Sequence, residues 1–269
     1  MDDDLTAVPD DPEKDRNFIT ALARGLDLLR AFKPGETELT NTDLALRTGL
    51  PKPTVSRLTY TLCQLDYLAV DPRSGGYRLG AGVLQLGYGV LAGMEMTKRA
   101  QAVMKDLQSG PNTYTTAALA ERHRFHAIYV AVLASGEDIS LQLHVGSRLP
   151  LFRSAIGRAM MIALPAEEQA RIFARAADED PDGDGERRDQ IATARDQFRS
   201  RGYVTGYGEW RADVNGIAVP VTSLDGRRVW GLNVGGPSFH VSPEELEGTY
   251  APRLIAAAQS LGPFSPDSA

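Results

Sequence analysis

At 269 residues, 42% hydrophobic and 24% charged, the chain has an ordinary folded composition with room for two domains. No apolar run reaches the roughly 18 to 20 residues of a membrane helix, and the acidic start MDDDL lacks the basic and apolar regions of a signal peptide, so a cytoplasmic protein with no membrane partner is expected. The single cysteine, Cys63, excludes an internal disulfide and a cysteine-based zinc site.

The net charge of −6 disfavours a nucleic-acid partner only until it is divided along the chain. Residues 1–15 hold seven acidic residues against Lys14 and read as a disordered acidic tail, whereas residues 16–80 hold nine Lys or Arg against six Asp or Glu. In chain order, Phe18 to Phe32 has helical periodicity and stops at Lys33-Pro34-Gly35. Thr40, with Asp43 three positions on, matches a capping box opening a short helix through Arg47 that ends at Gly49. The stretch Thr48 to Leu68 holds a further helix that begins after Leu50-Pro51-Lys52, with Pro53 in its first turn and Val55, Leu58, Leu62 and Leu65 as its apolar stripe. Tyr67 to Val70 and Gly76 to Leu79 flank Asp71-Pro72-Arg73-Ser74-Gly75 and predict a short hairpin.

Counted from Asn41, Ala45, Gly49 and Val55 occupy relative positions 5, 9 and 15 of a helix-turn-helix: a small residue where helices approach, a turn residue tolerant of positive φ, and a buried β-branched residue. No acid occurs from Leu44 through Leu65. On the Thr48 to Leu68 helix alone, a bundle helix with a solvated polar face is an equal reading; the turn and the hairpin favour DNA. The helix then enters the major groove with Arg57 toward guanine edges, Thr54 and Ser56 toward bases or phosphates, and Tyr60 alongside. Lys52 and Thr40 fall where phosphates are expected, and Arg73 and Arg78 belong to the wing.

The runs ALARGLDLLRAF, TNTDLALRTGLPKPTVSRLTYTL and YRLGAGVLQLG resemble the N-terminal winged helix-turn-helix of the IclR family of bacterial transcription regulators. VGSRLPLFRSAIGRAMMIALP, RGYVTGYGEW, GIAVPV and LNVGGP follow the order of that family's effector domain, so the resemblance covers about Phe18 to Gly262. It implies an α+β multidomain chain: a winged helix-turn-helix over 16–80, a linker or dimerisation helix over 81–109, a GAF-like effector domain over 110–264 with a mostly antiparallel sheet, and a tail at 265–269. It also implies a homodimer, often a dimer of dimers, that binds a palindromic double-stranded operator under control of a small organic acid, with no cofactor.

Gly82 to Leu91 is apolar on nearly every side, which fits a helix covered by another chain or by internal packing. Beyond it, Thr113 to Leu119, Ala127 to Leu133 and Ile139 to Val145 read as strands, followed by helices from about Ile156, over Ala166 to Ala177 and over Arg188 to Arg201. Asp178 to Glu186 reads as a solvated loop, and Tyr203 to Tyr207, Gly216 to Thr222 and Val229 to Val234 as strands before a closing helix, Pro243 to Leu261. Ser154 starts a helix whose free N–H groups suit a carboxylate.

Carried over from the resemblance, the effector contacts are Ala155, Ile156, Gly206, Gly216, Asn233 and Gly235. Three of the later positions are glycine where other members place acid, cysteine or serine side chains, leaving room for a ligand larger than a two- or three-carbon acid, including an aromatic one. Trp210 and Tyr207 are candidates to stack on it, or are structural; turns or bulges are the alternative reading of Gly206, Gly235 and Gly236.

An enzyme is the competing class. GxSxG, HExxH and GxxxxGK[ST] are missing, and His123 with His126 has metal-like spacing but no third partner nearby, which fits a polar turn. A GAF-like sensor or partner-binding module without sequence-specific DNA binding is the remaining alternative.

Overall fold

The computed structural model describes residues 17–33, 35–137 and 143–265. The acidic tail at 1–15, Pro34, positions 139–142 of the expected Ile139 to Val145 strand, and 266–269 of the C-terminal tail lie outside them. Two compact units divide between Gly93 and Met94.

The first unit opens with α1 (Thr20–Arg30), α2 (Asn41–Thr48) and α3 (Lys52–Gln64). Thr40 and Asp43 form a reciprocal capping box at the start of α2, satisfying N–H groups that no helical carbonyl can reach. Gly49 ends α2 at φ 68°, a left-handed backbone that glycine adopts without a Cβ penalty. That turn lays α3 across α2, and Leu28, Leu39, Leu44 and Val55 close into a core. The stripe on α3 differs from the expected one in a single place. Leu65 lies just past the helix end and is 58% exposed, while Thr59 is fully buried because its hydroxyl donates to the Val55 carbonyl (2.9 Å) and so hides its polarity.

The hairpin β1 (Leu68–Val70) and β2 (Tyr77–Leu79) pairs antiparallel, and Leu39 and Tyr77 exchange backbone hydrogen bonds that tie the segment before α2 to the wing. Arg47 also donates to Glu36 (2.9 Å) and to the Ala31 carbonyl (2.8 Å), fastening the α1–α2 connection. The Arg47 guanidinium and the Lys33 N–H hold the Glu36 carboxyl down at about 2. A carboxyl lowered in the folded state stabilises above its unfolded value and loses that contribution as pH falls through the folded one. The expected result is that Glu36→Gln costs stability at pH 6, and that its deficit in urea midpoint against the parent chain shrinks on acidification from about 4.5 toward 2.

The stretch 81–109, expected as one helix, is two: α4 (Ala81–Ala92) and α5 (Glu95–Gln108), broken at Gly93 and Met94. No residue of α4 is buried, and Leu84, Leu86, Tyr88 and Val90 stand exposed.

In the second unit a six-stranded sheet runs in the order β5-β4-β3-β8-β7-β6, every pairing antiparallel. Its strands are β3 (Thr116–His123), β4 (His126–Leu133), β5 (Arg148–Pro150), β6 (Val204–Tyr207), β7 (Val214–Thr222) and β8 (Val229–Pro237). Positions 143–145 are not strand, and the edge is supplied by β5 instead. Helix α6 (Ala155–Ala163) lies on one face, followed by α7 (Ala166–Glu179) and α8 (Asp184–Arg201). The expected loop Asp178 to Glu186 is mostly helix: α7 continues to Glu179, and Asp184 and Glu186 sit in the first turn of α8, where carboxylates complement the helix dipole.

On the α6 face the sheet carries Ala118, Ala120 and Ala218, small residues that admit the helix closely. A Cβ on Gly231 would fall 2.4 Å from Ile156 Cγ1. Buried Met96, Ala100, Met104 and Leu107 dock α5 onto β3, β4 and α10 (Ala251–Leu261). The closing helix runs from Pro243 to Leu261 as expected, with α9 (Pro243–Glu245) passing through a π-helical turn, Leu246–Tyr250, into α10.

Candidate nucleic-acid interface and ligand cleft

Lys52, Ser56, Arg57 and Tyr60 lie exposed along α3, Tyr60 at 67%, with Thr54 half-buried beside them. Among the described residues the Arg57 side chain has no ion-pair or hydrogen-bond partner, while its carbonyl accepts from the Thr61 hydroxyl (3.1 Å). Ser56 is held inside the motif: its hydroxyl donates to the Lys52 carbonyl (3.1 Å) and accepts from Asn41 Nδ2 (3.0 Å). Asn41, which the sequence reading did not single out, therefore sets the spacing of α2 against α3.

The Thr40 hydroxyl is likewise committed, donating to Asp43 Oδ2 (2.6 Å) and accepting from the Asp43 N–H (3.2 Å). These bonds hold the Asp43 carboxyl below its ordinary range. Thr40 thus serves first as a helix cap, and any phosphate contact falls to backbone N–H groups of the first turn of α2. In the wing, the Asp71 carboxylate accepts from the N–H groups of Arg73 (2.7 Å) and Ser74 (3.2 Å), shaping the turn and leaving the Arg73 and Arg78 side chains exposed.

A cleft in the second unit opens to solvent, and Ala155, Ile156, Gly206, Gly216, Asn233 and Gly235 all line it. Strand register explains their convergence. Gly206 pairs with Gly216, Gly216 with Gly235 and Gly235 with Thr116, so a row of three glycines and a threonine crosses four strands. Gly206 also admits the first turn of α6, since a Cβ there would meet Ala155 Cβ at 3.0 Å and its nitrogen at 3.2 Å. Gly235 is required by its neighbour strand: a Cβ would lie 2.4 Å from the Asn215 carbonyl oxygen. Ser154 caps α6 by accepting the Gly157 N–H (3.2 Å), which leaves the earlier N–H groups of the turn for a ligand.

Polar side chains absent from the sequence reading also reach the cleft, among them Thr116, Tyr129 and Arg153. Asn233 Nδ2 donates to the Tyr129 hydroxyl (3.2 Å), and burial pushes the Tyr129 phenol above its ordinary value. Arg153 donates to the Glu209 carbonyl (3.0 Å), and buried Arg158 pairs with the Glu209 carboxylate and donates to the Thr205 carbonyl (2.6 Å). Those bonds fix the loop that brings Trp210 to the cleft. Tyr207 does not line it: its hydroxyl donates to Glu247 (2.9 Å), and burial raises its pKa. His123 and His126 pair across the β3–β4 turn, and no group of three His, Cys, Asp or Glu able to hold a metal occurs among the described residues. No helix among them is long and apolar enough to cross a membrane.

Residues 21–72 match the IclR helix-turn-helix domain and residues 88–262 the family described as bacterial transcriptional regulator IclR C-terminal. The Pca regulon regulatory protein of Pseudomonas putida is 30% identical over 257 residues, covering 92% of this chain and 84% of its own. An IclR family transcriptional regulator from Brucella abortus superposes with a TM-score of 0.79 at 39% identity, covering 95% of each chain. An IclR homologue from Microbacterium hydrocarbonoxydans, solved in complex with 4-hydroxybenzoate, shares the fold at 23% identity and a TM-score of 0.68, covering 90% of this chain and 97% of that one. These relatives and families are transcriptional regulators, not enzymes. The two matched domains between them take in most of residues 21–262, and the chain belongs to the IclR family of bacterial transcriptional regulators.

Proposed function

We propose that the chain acts in the cytoplasm as a homodimer, or a pair of homodimers, that reads a palindromic operator with two copies of α3 and adjusts its DNA affinity to a small organic acid held in the cleft. The observation that carries the DNA half is the exposed, acid-free face of α3 with Arg57 uncommitted. Arg57, Thr54, Ser56 and Tyr60 face the bases, while Lys52, Arg73, Arg78 and the first-turn N–H groups of α2, the helix Thr40 caps, hold the backbone. A dimer is supported by the bare apolar surface of α4 and by Ile19, Leu22 and Leu26 of the α1 region, which water covers at a cost in a lone protomer. Two linked half-site readers also multiply the affinity of one short helix.

The acid is assigned to the first turn of α6 beside Arg153, with Gly216 the one glycine of the row whose Cβ position is not already crowded. That the Microbacterium relative holds 4-hydroxybenzoate supports an aromatic acid here. Ligand binding has to bias the packing of the effector domains by only about 1 to 3 kcal/mol to regulate DNA binding.

A gel-shift titration on the DNA upstream of the gene, at two salt concentrations, tests the reading. Arg57→Ala is expected to lose about 1 to 3 kcal/mol and its preference at one base pair, while Lys52→Ala weakens all sequences alike and flattens the salt dependence. Retention that ignores sequence would favour the sensor without specific DNA binding.

A further inference from the structure

We infer that the acidic N-terminal segment, residues 1–15, seats its Leu5-Thr6-Ala7-Val8 stretch in the groove between α1 and α3 of its own chain and competes there with DNA for Arg57. The inference rests on the reading of α3 as the DNA-contacting helix and adds an internal competitor to it.

The groove lies wholly within the first unit. Half-buried Leu29, Leu58 and Leu62 line it together with exposed Arg24 and Arg57, and no acidic residue is among the described residues that form it. Neither guanidinium has an ion-pair or hydrogen-bond partner among the described residues. An apolar trough with two unanswered cations fits an occupant that is apolar in the middle and anionic on both sides. DNA meets half of that description, since phosphates answer arginines and leave leucines uncovered.

The N-terminal segment has the whole pattern. Asp2, Asp3 and Asp4 precede Leu5-Thr6-Ala7-Val8, and Asp10, Asp11, Glu13 and Asp15 follow it, against Lys14 alone. A second copy's first unit is a poorer match, because residues 16–80 hold nine Lys or Arg against six Asp or Glu. The attachment point is also close: Thr20, the first residue of α1, lines the groove. Val8 and Thr20 are twelve positions apart, which spans up to about 40 Å of extended chain against about 20 Å for the 13 residues of α3. No position along the groove is out of reach.

Tethering makes a weak contact sufficient. At an effective concentration of about 1 mM, a seat with a dissociation constant of about 0.25 mM leaves α3 open about one-fifth of the time and weakens every DNA complex about fivefold.

Fluorescence anisotropy titration of a random-sequence duplex with the full chain tests the competition. Two sets of substitutions accompany the parent: Asp2→Asn, Asp3→Asn, Asp4→Asn, Asp10→Asn and Asp11→Asn together, and Leu5→Ser with Val8→Ser, which keeps every charge. Both are expected to bind about fivefold tighter than the parent at about 50 mM salt, and the advantage of the neutralised chain to fall below about twofold at about 200 mM as salt screens the segment from the arginines. A gain from neutralising the acids with none from Leu5→Ser and Val8→Ser would overturn the inference, because a segment that merely repels phosphate does not need its apolar residues. No gain from either would overturn it too.

The seat is read without DNA by placing the photo-cross-linker benzoylphenylalanine at Tyr60, which lines the groove. A cross-link to residues 1–15 that runs at monomer mass and vanishes when duplex is added is expected. A cross-link at dimer mass would give the groove to a second copy, and its absence, or its survival in saturating duplex, would equally sink the inference. Failure of the underlying reading looks different: Arg57→Ala in the neutralised chain would then leave duplex binding unchanged, whereas a failed seat leaves the loss caused by Arg57→Ala intact.

Discussion

Glu209→Ala is expected to lower the unfolding free energy of the second unit by about 2 to 3 kcal/mol, below the full penalty of a broken buried pair because one partner is partly wet. The Arg158 side chain is 7% exposed and that of Glu209 is 43% exposed, so removing the acid strands the more buried charge. Arg158 Nε has no partner even in the intact chain, which leaves the Thr205 carbonyl as the remaining protein acceptor. Replacing both residues, as in Arg158→Met with Glu209→Ala, is expected to recover most of the loss because no buried charge is then unbalanced. Urea unfolding of the parent and both variants checks the order. Fluorescence of Trp210, isolated by Trp230→Phe, is expected to shift red in Glu209→Ala as the loop loosens. A single variant as stable as the parent, or a double variant worse than the single, would refute this account.

Gly157→Ala is expected to cost about 3 kcal/mol or more, at the upper end of overpacking effects. The added Cβ would lie 2.1 Å from the Leu151 carbonyl oxygen and 2.6 Å from Leu151 Cα, and a main chain cannot swing aside as a side-chain tip does. Relief requires moving α6, whose first turn carries Ala155 and Ile156 into the cleft. Loss of stability should therefore come with loss of acid binding. Gly248→Ala is the control, since nothing lies within 4 Å of its added Cβ; it is expected to stay within about 1 kcal/mol of the parent. Parallel thermal unfolding of the two variants measures the difference.

What could be read from the sequence was decided over short distances along the chain. The Thr40 and Asp43 cap, the left-handed turn at Gly49 and buried Val55 fall within sixteen consecutive positions, and each carries its own chemical signature. Errors arose where packing overrides composition. Acidic Asp178 to Glu186 looks like solvated loop, yet carboxylates are favoured in the first turn of a helix. Leu65 fits an apolar stripe by spacing but falls beyond the end of α3, and polar Thr59 takes its place by bonding its own helix.

The cleft was legible in part. Its glycines and Asn233 came from resemblance, whereas Thr116 and Tyr129 reach it through strand register. Thr116 faces Gly235 across β3 and β8, and no local pattern announces such a pairing. Tyr207 next to Gly206 illustrates the same limit from the other side: adjacent strand positions point to opposite faces, so one lines the cleft and its neighbour bonds Glu247.

The three glycines in a row are unequal as starting points for change. A methyl group at 206 would press on Ala155 and one at 235 on the backbone of β7, but at 216 it would meet only ordinary contacts. Under the proposed reading of the cleft, drift in what it holds has one inexpensive route, and a directed search for altered ligand preference would do best to begin by randomising that codon.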